Sequence, residues 1–160
     1  MKNARSRPSR KSTRAVQVLL TVTNFRDVLS DKNALTDHRL SLSREHARVR
    51  LEKDTLFIQP PGVTLEFVLA STREDREHYY PLGISYVRAG ESKTDELKLG
   101  FVNFPQKKQS LKGRILTITD SYRDKQPQVR YKFSIFIQRG SDGKIGLIDP
   151  SMIHDNGQPH

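Results

Sequence analysis

Histidine and carboxylate side chains are the first candidates for chemistry, because both transfer protons and bind metal ions. The five histidines are His38, His46, His78, His154 and His160. None lies in an HExxH pattern, and only His154 has carboxylates close after the last predicted strand, at Asp149 and Asp155. This spacing is generic, and a polar C-terminal segment explains it more simply than a metal site does. We therefore assign no metal-binding residue.

Two glycine-containing segments match catalytic or phosphate-binding motifs only in part. Residues 83–87 (GISYV) begin like a nucleophile elbow, but the closing glycine is missing and no helix is expected after them. Residues 140–144 (GSDGK) lack the four-residue spacer and the hydroxyl after lysine that a phosphate loop requires, and they favour a hairpin turn. We assign no catalytic residue and no cofactor, and expect a protein that is not an enzyme. Carboxylates that meet only in space remain an open alternative.

The chain has no cysteine, which excludes disulfides, thiolate zinc sites, iron–sulfur clusters and cysteine nucleophiles. Residues 15–22 form the longest apolar stretch, and Gln17 and Thr21 interrupt it. This stretch is too short to span a bilayer, and no small-residue cleavage site follows it. We therefore expect a soluble, cytoplasmic protein without a signal peptide or a membrane span.

Basic side chains form the second group of candidates. The chain carries 28 Lys and Arg against 18 Asp and Glu, a formal net charge of +10. Residues 1–14 hold six of the basic side chains and no acidic one, which leaves a nearly balanced body. The six are Lys2, Arg5, Arg7, Arg10, Lys11 and Arg14. We expect this arm to be flexible. It is a candidate to bind phosphate groups by counterion release, to bind an acidic protein surface or anionic lipid, or only to aid solubility.

Four more basic residues alternate with apolar residues on predicted strands and are expected to face solvent: Arg48, Arg50, Arg130 and Lys132. With the arm they are candidates for contacts with phosphate or with an acidic partner. Charged side chains on an exposed sheet face also simply keep a sheet soluble. Residues 100–104 (GFVNF) match only the second half of an RNP1 motif, and the helices of that fold are not expected. Nucleic-acid association is therefore the alternative function.

Aromatic residues that interrupt polar positions are candidates for an apolar contact patch. Phe136 lies at a polar position of the clearest strand, and Tyr79 and Tyr80 are adjacent in sequence. A contiguous exposed apolar or aromatic patch of several hundred Å² around these residues would indicate a contact surface. The function that we expect is a non-catalytic binding or structural module, acting through a sheet face or loops on a protein partner or on another copy of itself.

Alternating apolar and polar residues predict the strands that must position these candidates. In residues 129–138, apolar residues occupy every second position, which indicates a strand with one buried face. Weaker signals of the same kind occur at residues 16–22, 47–51, 56–59, 63–69, 82–86, 97–101, 114–119 and 144–148. Little helix is expected, with a loop at 30–46 and an exposed turn at 71–78. The pattern predicts an antiparallel sandwich or barrel.

The C-terminal hairpin resembles one known family. Tyr131, Phe133 and Ser134 lie in a strand that leads through a glycine turn to Asp149-Pro150, an apolar residue and an asparagine. Residues 129–156 resemble in this way the DP-EP family of small bacterial β-sandwich proteins, which has no established activity. The resemblance implies an immunoglobulin-like sandwich and transfers no catalytic residue.

We therefore expect an all-β chain in three parts. Residues 1–14 form the disordered basic arm. Residues 15–150 form one antiparallel immunoglobulin-like sandwich of about seven to nine short strands. Residues 151–160 form a polar C-terminal tail.

Overall fold

The computed structural model describes residues 14–30, 35–88, 110–121 and 128–155. These residues contain eleven strands: β1 Val16–Asn24, β2 Asp37–Leu42, β3 Val49–Glu52, β4 Thr55–Ile58, β5 Thr64–Ser71, β6 Tyr79–Arg88, β7 Ser110–Lys112, β8 Ile115–Thr119, β9 Gln128–Arg139, β10 Ile145–Ile148 and β11 Ser151–Asp155. The prediction of an all-β chain is confirmed. Within the described ranges, no helix has the length and apolar character needed to cross a membrane. The arm before Arg14, the strand predicted at 97–101 and the RNP1-like segment at 100–104 lie outside these ranges.

The strands form two mixed sheets. In the first sheet the order is β2-β1-β5-β8-β7, with β1 and β5 parallel and the other pairs antiparallel. In the second sheet β9 pairs with β6 on one side and with both β10 and β11 on the other, and β4 and β3 follow β11. The pair of β4 and β11 is parallel. The expectation of purely antiparallel sheets is therefore wrong, because long connections bring strands distant in sequence side by side.

One apolar core joins the two sheets. Every second residue of β1, β5 and β9 is buried, as period-two alternation requires. The ring of Phe67 in the first sheet lies 5.4 Å from that of Phe133 in the second, measured between centroids. Each such fully buried side chain contributes roughly 1.5–3 kcal/mol to folding. The alternation read from residues 129–138 is confirmed, and it fixes which side chains of β9 face outward.

The C-terminal segment differs from the expected polar tail. Residues 151–155 form β11, which lies between β9 and β4, and Met152 and His154 are fully buried. β10 and β11 pair with successive halves of β9, so Asp149-Pro150 interrupts this edge without ending it. The Pro150 carbonyl still accepts a hydrogen bond from the Phe133 N–H at 3.2 Å, although proline donates none.

The stretch expected to be a loop at 30–46 contains β2, an edge strand of the first sheet. Before it, the chain lies along β10, where the N–H groups of Val28 and Thr36 donate to the carbonyls of Ile145 and Leu147 at 2.9 and 2.8 Å. This segment covers the outer edge of β10. The exposed turn expected at 71–78 is present at residues 73–75.

Candidate functional site

The outward face of β9 carries both basic and aromatic candidates. Arg130, Lys132 and Phe136 alternate with buried Tyr131 and other core residues, so all three point away from the core. Side chains two residues apart on one face of a strand are separated by about 7 Å. Lys132 and Phe136 are therefore about 14 Å apart along one straight element, with charge at one end and an aromatic ring at the other.

An apolar patch surrounds Phe136. The exposed fractions of Phe136, Tyr80 and Leu82 are 41%, 38% and 43%. Half-buried Leu147 lies opposite Phe136 on β10, and Gly83 lies opposite it on β6. We call Tyr80, Leu82, Phe136 and Leu147 the apolar patch. These three apolar side chains, each about 40% exposed, lie together on two neighbouring strands rather than singly.

A β-bulge in β6 shapes this patch. The register with β9 shifts between Pro81 and Gly83, so the residue between them is an extra one. That residue is Leu82. Without the bulge, the alternation of buried and exposed positions in the part of β6 that follows would turn its side chain toward the core. Bulges re-aim side chains in this way. Apart from Leu82 and Ile84, its neighbours in sequence, no residue has an atom within 4 Å of a Cβ added at Gly83, so no more distant side chain fills this position opposite Phe136.

Tyr79 does not belong to this surface, which corrects its assignment to an exposed contact patch. It is only 1% exposed, and its ring stacks on Phe25 with centroids 5.7 Å apart. Its hydroxyl donates a hydrogen bond to Asp75 at 2.7 Å. Burial, aided by this carboxylate, raises the pKa of Tyr79 well above its ordinary value. Adjacent residues of a strand face opposite sides, so Tyr80 is exposed because Tyr79 is buried.

The basic pair, Arg130 and Lys132, lies on the outward face beside β11. The two residues pair in register with Ile153 and Ser151. Both side chains are exposed, and neither forms an ion pair with any residue in the described part of the chain. An acidic partner can therefore bind these two cations without breaking an ion pair to any described residue.

Arg50 lies on the same face but is already engaged. It forms ion pairs with Glu52 and, at 3.2 Å, with Asp155. Its guanidinium also lies 3.9 Å from the centroid of the Phe57 ring. The charge of Arg50 is therefore compensated and the ring is covered, so this cluster offers neither a free cation nor a free stacking surface. Arg48, just before β3, is half-buried and forms no ion pair within the described ranges.

Arg14 is the one arm residue that the structure describes. It is exposed and lies with Gln17, Arg44 and Glu66 around an open depression of about 370 Å³ on the first sheet. The other five arm candidates, Lys2, Arg5, Arg7, Arg10 and Lys11, lie outside the described residues. Arg14, the described part of the arm, lies on the first sheet and not on the outward face of β9.

A buried hydrogen-bonded pair connects the two sheets. The Nε2 of His154 on β11 lies 2.7 Å from an oxygen of Asp120, the residue after β8, and both side chains have no exposed area. The Tyr131 ring lies 4.9 Å from the imidazole. Burial, with the nearby Asp120 charge, raises the pKa of Tyr86. No sequence signal links residues 34 positions apart, so sequence reasoning missed this pair. Its groups are enclosed in protein and cannot touch a substrate.

The three side chains considered as metal ligands do not meet. His154 pairs with Asp120, Asp155 pairs with Arg50, and Asp149 accepts a hydrogen bond from Ser134 at 3.1 Å. Across the described residues, no three His, Cys, Asp or Glu side chains are placed to hold a metal ion together.

The glycine-containing segments are structural. Ser85 is an exposed residue within β6, which continues as a strand to Arg88, the last residue described in this part of the chain. In the turn after β9, Asp142 accepts two hydrogen bonds from the Arg139 guanidinium, at 3.1 and 2.7 Å, and one from the Lys144 N–H at 3.2 Å. The Arg139 hydrogen bond lowers the pKa of Asp142 to about 2. The expected hairpin turn between β9 and β10 is confirmed.

The chain matches no protein-family model and no curated protein. Its function must therefore be argued from the surface itself. On that surface the outward face of β9 combines exposed apolar side chains, open space at a glycine and two unpaired cations, and no other described region combines all three.

Proposed function

We propose that the protein is a non-catalytic binding module, built as an immunoglobulin-like sandwich, that binds a protein partner on the outward face of β9. The observation that carries this proposal is the apolar patch, where Tyr80, Leu82 and Phe136 are each more than a third exposed. Burial of such side chains drives most protein association. A rigid, continuous strand in the centre of a sheet provides a preorganised surface for it.

The immunoglobulin-like part of the proposal is supported by two sheets that share one core and by the resemblance of residues 129–156 to the DP-EP family. The non-catalytic part is supported by the state of the acid–base candidates. His154 and Asp120 are buried against each other, and Asp142 is held by Arg139 in a turn. Groups engaged in this way serve stability rather than proton transfer to a ligand.

Nucleic-acid association is the second candidate, and the unpaired cations Arg130 and Lys132 favour it. Two features weaken it. The charge of Arg50 is compensated by two carboxylates. Its guanidinium also covers Phe57, the aromatic ring in the same cross-strand row as Arg130. Base stacking needs a free ring beside the cations.

Position-specific photo-crosslinking tests the proposal. A photoreactive amino acid is placed at Leu82 in the patch, and in separate proteins at Leu111 on β7 and at Leu29 in a turn, two exposed leucines elsewhere. The proteins are irradiated in cells in which partner proteins are present. We expect a discrete protein adduct from position 82 that is absent from positions 29 and 111. Adducts of equal yield from all three positions, or an adduct with nucleic acid alone, would refute the proposal.

A further inference from the structure

The chemistry of the partner follows from the order of side chains along β9, and this inference rests on the proposed function. Around Phe136 the neighbouring residues on the outward face are uncharged: Ser134 and Gln138 on the same strand, Gly83 opposite on β6 and Leu147 opposite on β10. The unpaired cations lie only toward the start of the strand. The surface is therefore apolar around Phe136 and cationic at Lys132 and Arg130, and the Asp149 carboxylate, which accepts a hydrogen bond from Ser134 at 3.1 Å, lies between these two regions.

The spacing matches an extended chain. Alternate residues of an extended segment face the same side, with about 7 Å between them, as on β9 itself. A segment that lies along β9 with an apolar residue over Phe136 has a same-facing residue over Lys132 four positions away, and one over Arg130 six positions away. Carboxylates at those positions meet exposed cations that form no ion pair with any other residue in the described ranges.

Gly83 provides the anchoring space. Apart from its neighbours Leu82 and Ile84, no residue has an atom within 4 Å of a Cβ at this position, so an incoming apolar side chain can approach Phe136 from the β6 side. Leu147 lies on the other side of the ring. One large apolar residue of the ligand is enough to fill a space of this kind, and a central apolar anchor is what peptide-binding surfaces commonly use.

The size of the patch argues against a second copy of the chain. A stable protein–protein interface buries about 800 Å² on each partner, whereas the largest apolar patch of an ordinary monomer is about 300–600 Å². Three side chains that are each about 40% exposed offer much less area than such an interface needs. A short segment of a partner protein fits this area better than a flat surface between two domains.

We propose that the ligand is an extended segment of a partner protein, with an apolar residue over Phe136 and acidic residues over Lys132 and Arg130. Binding is expected to weaken as salt screens the two carboxylate contacts, while the apolar contact persists. The ligand is thus defined by an apolar position and acidic positions four and six residues from it, in one chain direction.

Synthetic peptides of about ten residues and the full chain test this inference by fluorescence anisotropy. The probe has one leucine, glutamates four and six residues from it and serines elsewhere, and it is made in both chain directions. The control peptide has the same composition with the glutamates three and five residues from the leucine, which turns them to the opposite side. We expect one direction of the probe to bind about tenfold more tightly than its control, which corresponds to about 1.4 kcal/mol.

Variants of the protein show where the peptide binds. Lys132→Glu and Phe136→Ser should each weaken probe binding about tenfold, whereas Leu111→Ser, an exposed leucine on another strand, should leave it unchanged. Equal binding of probe and control, or loss of binding in the Leu111 variant, overturns the inference. So does a single-stranded oligonucleotide that binds more tightly than either peptide and depends on Lys132. If position 82 gives a protein adduct while no peptide discriminates, this inference fails and the binding module stands.

Discussion

Gly83 of β6 lies directly opposite Phe136 of β9, so the aromatic ring has no side chain beside it across that pair of strands. Phe136 is 41% exposed as a result of this and of its outward position. A glycine within a strand weakens that strand, since it adds no packing and has a large entropy to lose. In the proposed complex this glycine has a use, because it leaves the ring accessible to a ligand.

Filling this space should separate stability from binding. A Gly83→Tyr variant places its Cβ in open space and gains strand propensity, so its melting temperature should equal or slightly exceed that of the parent protein. The new ring should cover Phe136 and weaken ligand binding about tenfold. Thermal unfolding and anisotropy on the same sample measure both effects. A variant that melts at the parent temperature and binds normally would show that Phe136 is not the anchor.

Gly146 on β10 presents the opposite case. A Cβ at this position would lie 2.7 Å from Thr36 Oγ1 and 2.8 Å from Phe25 Cε2. Phe25 cannot easily yield, because its ring is stacked on Tyr79 and lies under Arg139, whose guanidinium is 4.4 Å from its centroid. Gly146→Ala should lower the free energy of unfolding by about 1–3 kcal/mol in urea. Gly83→Ala is the matched control and should change it by less than about 0.5 kcal/mol. Equal effects would contradict the close packing at β10.

The buried pair of His154 and Asp120 should matter for stability alone. Asp120→Ala leaves the buried imidazole without this carboxylate, which we expect to reduce the free energy of unfolding by about 1–3 kcal/mol. Asp54→Ala removes an exposed carboxylate from the turn between β3 and β4 and is the control. Chemical denaturation compares the two. The pair has no such role if both variants unfold at the same denaturant concentration.

Asp142 should contribute to stability only above strongly acidic pH. The pKa of its carboxyl is lowered from 3.8 to about 2 by the Arg139 hydrogen bond. A depressed folded-state pKa means that the contribution is complete above the unfolded-state pKa, near 4, and is lost as the pH falls toward 2. The stability difference between the parent protein and Asp142→Asn should therefore shrink between pH 5 and pH 2. Carbon NMR of the carboxyl group should give a midpoint near 2, and a midpoint near 4 would contradict this.

The sequence predicted the buried and exposed faces of β9, because alternation over ten residues leaves one choice of inward face. This placed Arg130, Lys132 and Phe136 correctly on the outward side. It did not place Tyr79 and Tyr80, since two adjacent tyrosines give no alternation and a shift of one residue exchanges their faces. Leu82 was missed because a bulge, which has no simple sequence signal, brings it to the surface.

The remaining differences arise from contacts that are distant in sequence. The polar tail expected from residue 151 onward is instead strand β11 as far as Asp155, because Met152 and His154 fill the core between β9 and β4. The two parallel pairs and the bond between His154 and Asp120 join segments without any shared local pattern. Such pairings are decided by the packing of the whole domain rather than by local preference.

Crosslinking from position 82 in two backgrounds tests the central claim most directly. In the parent background, a photoreactive residue at Leu82 should give a discrete protein adduct. In the Gly83→Tyr background the same residue remains exposed while the Phe136 ring is covered, and the adduct should be largely lost. An adduct of undiminished yield in the Gly83→Tyr protein, with the fold intact by thermal unfolding, would contradict a partner bound at Phe136.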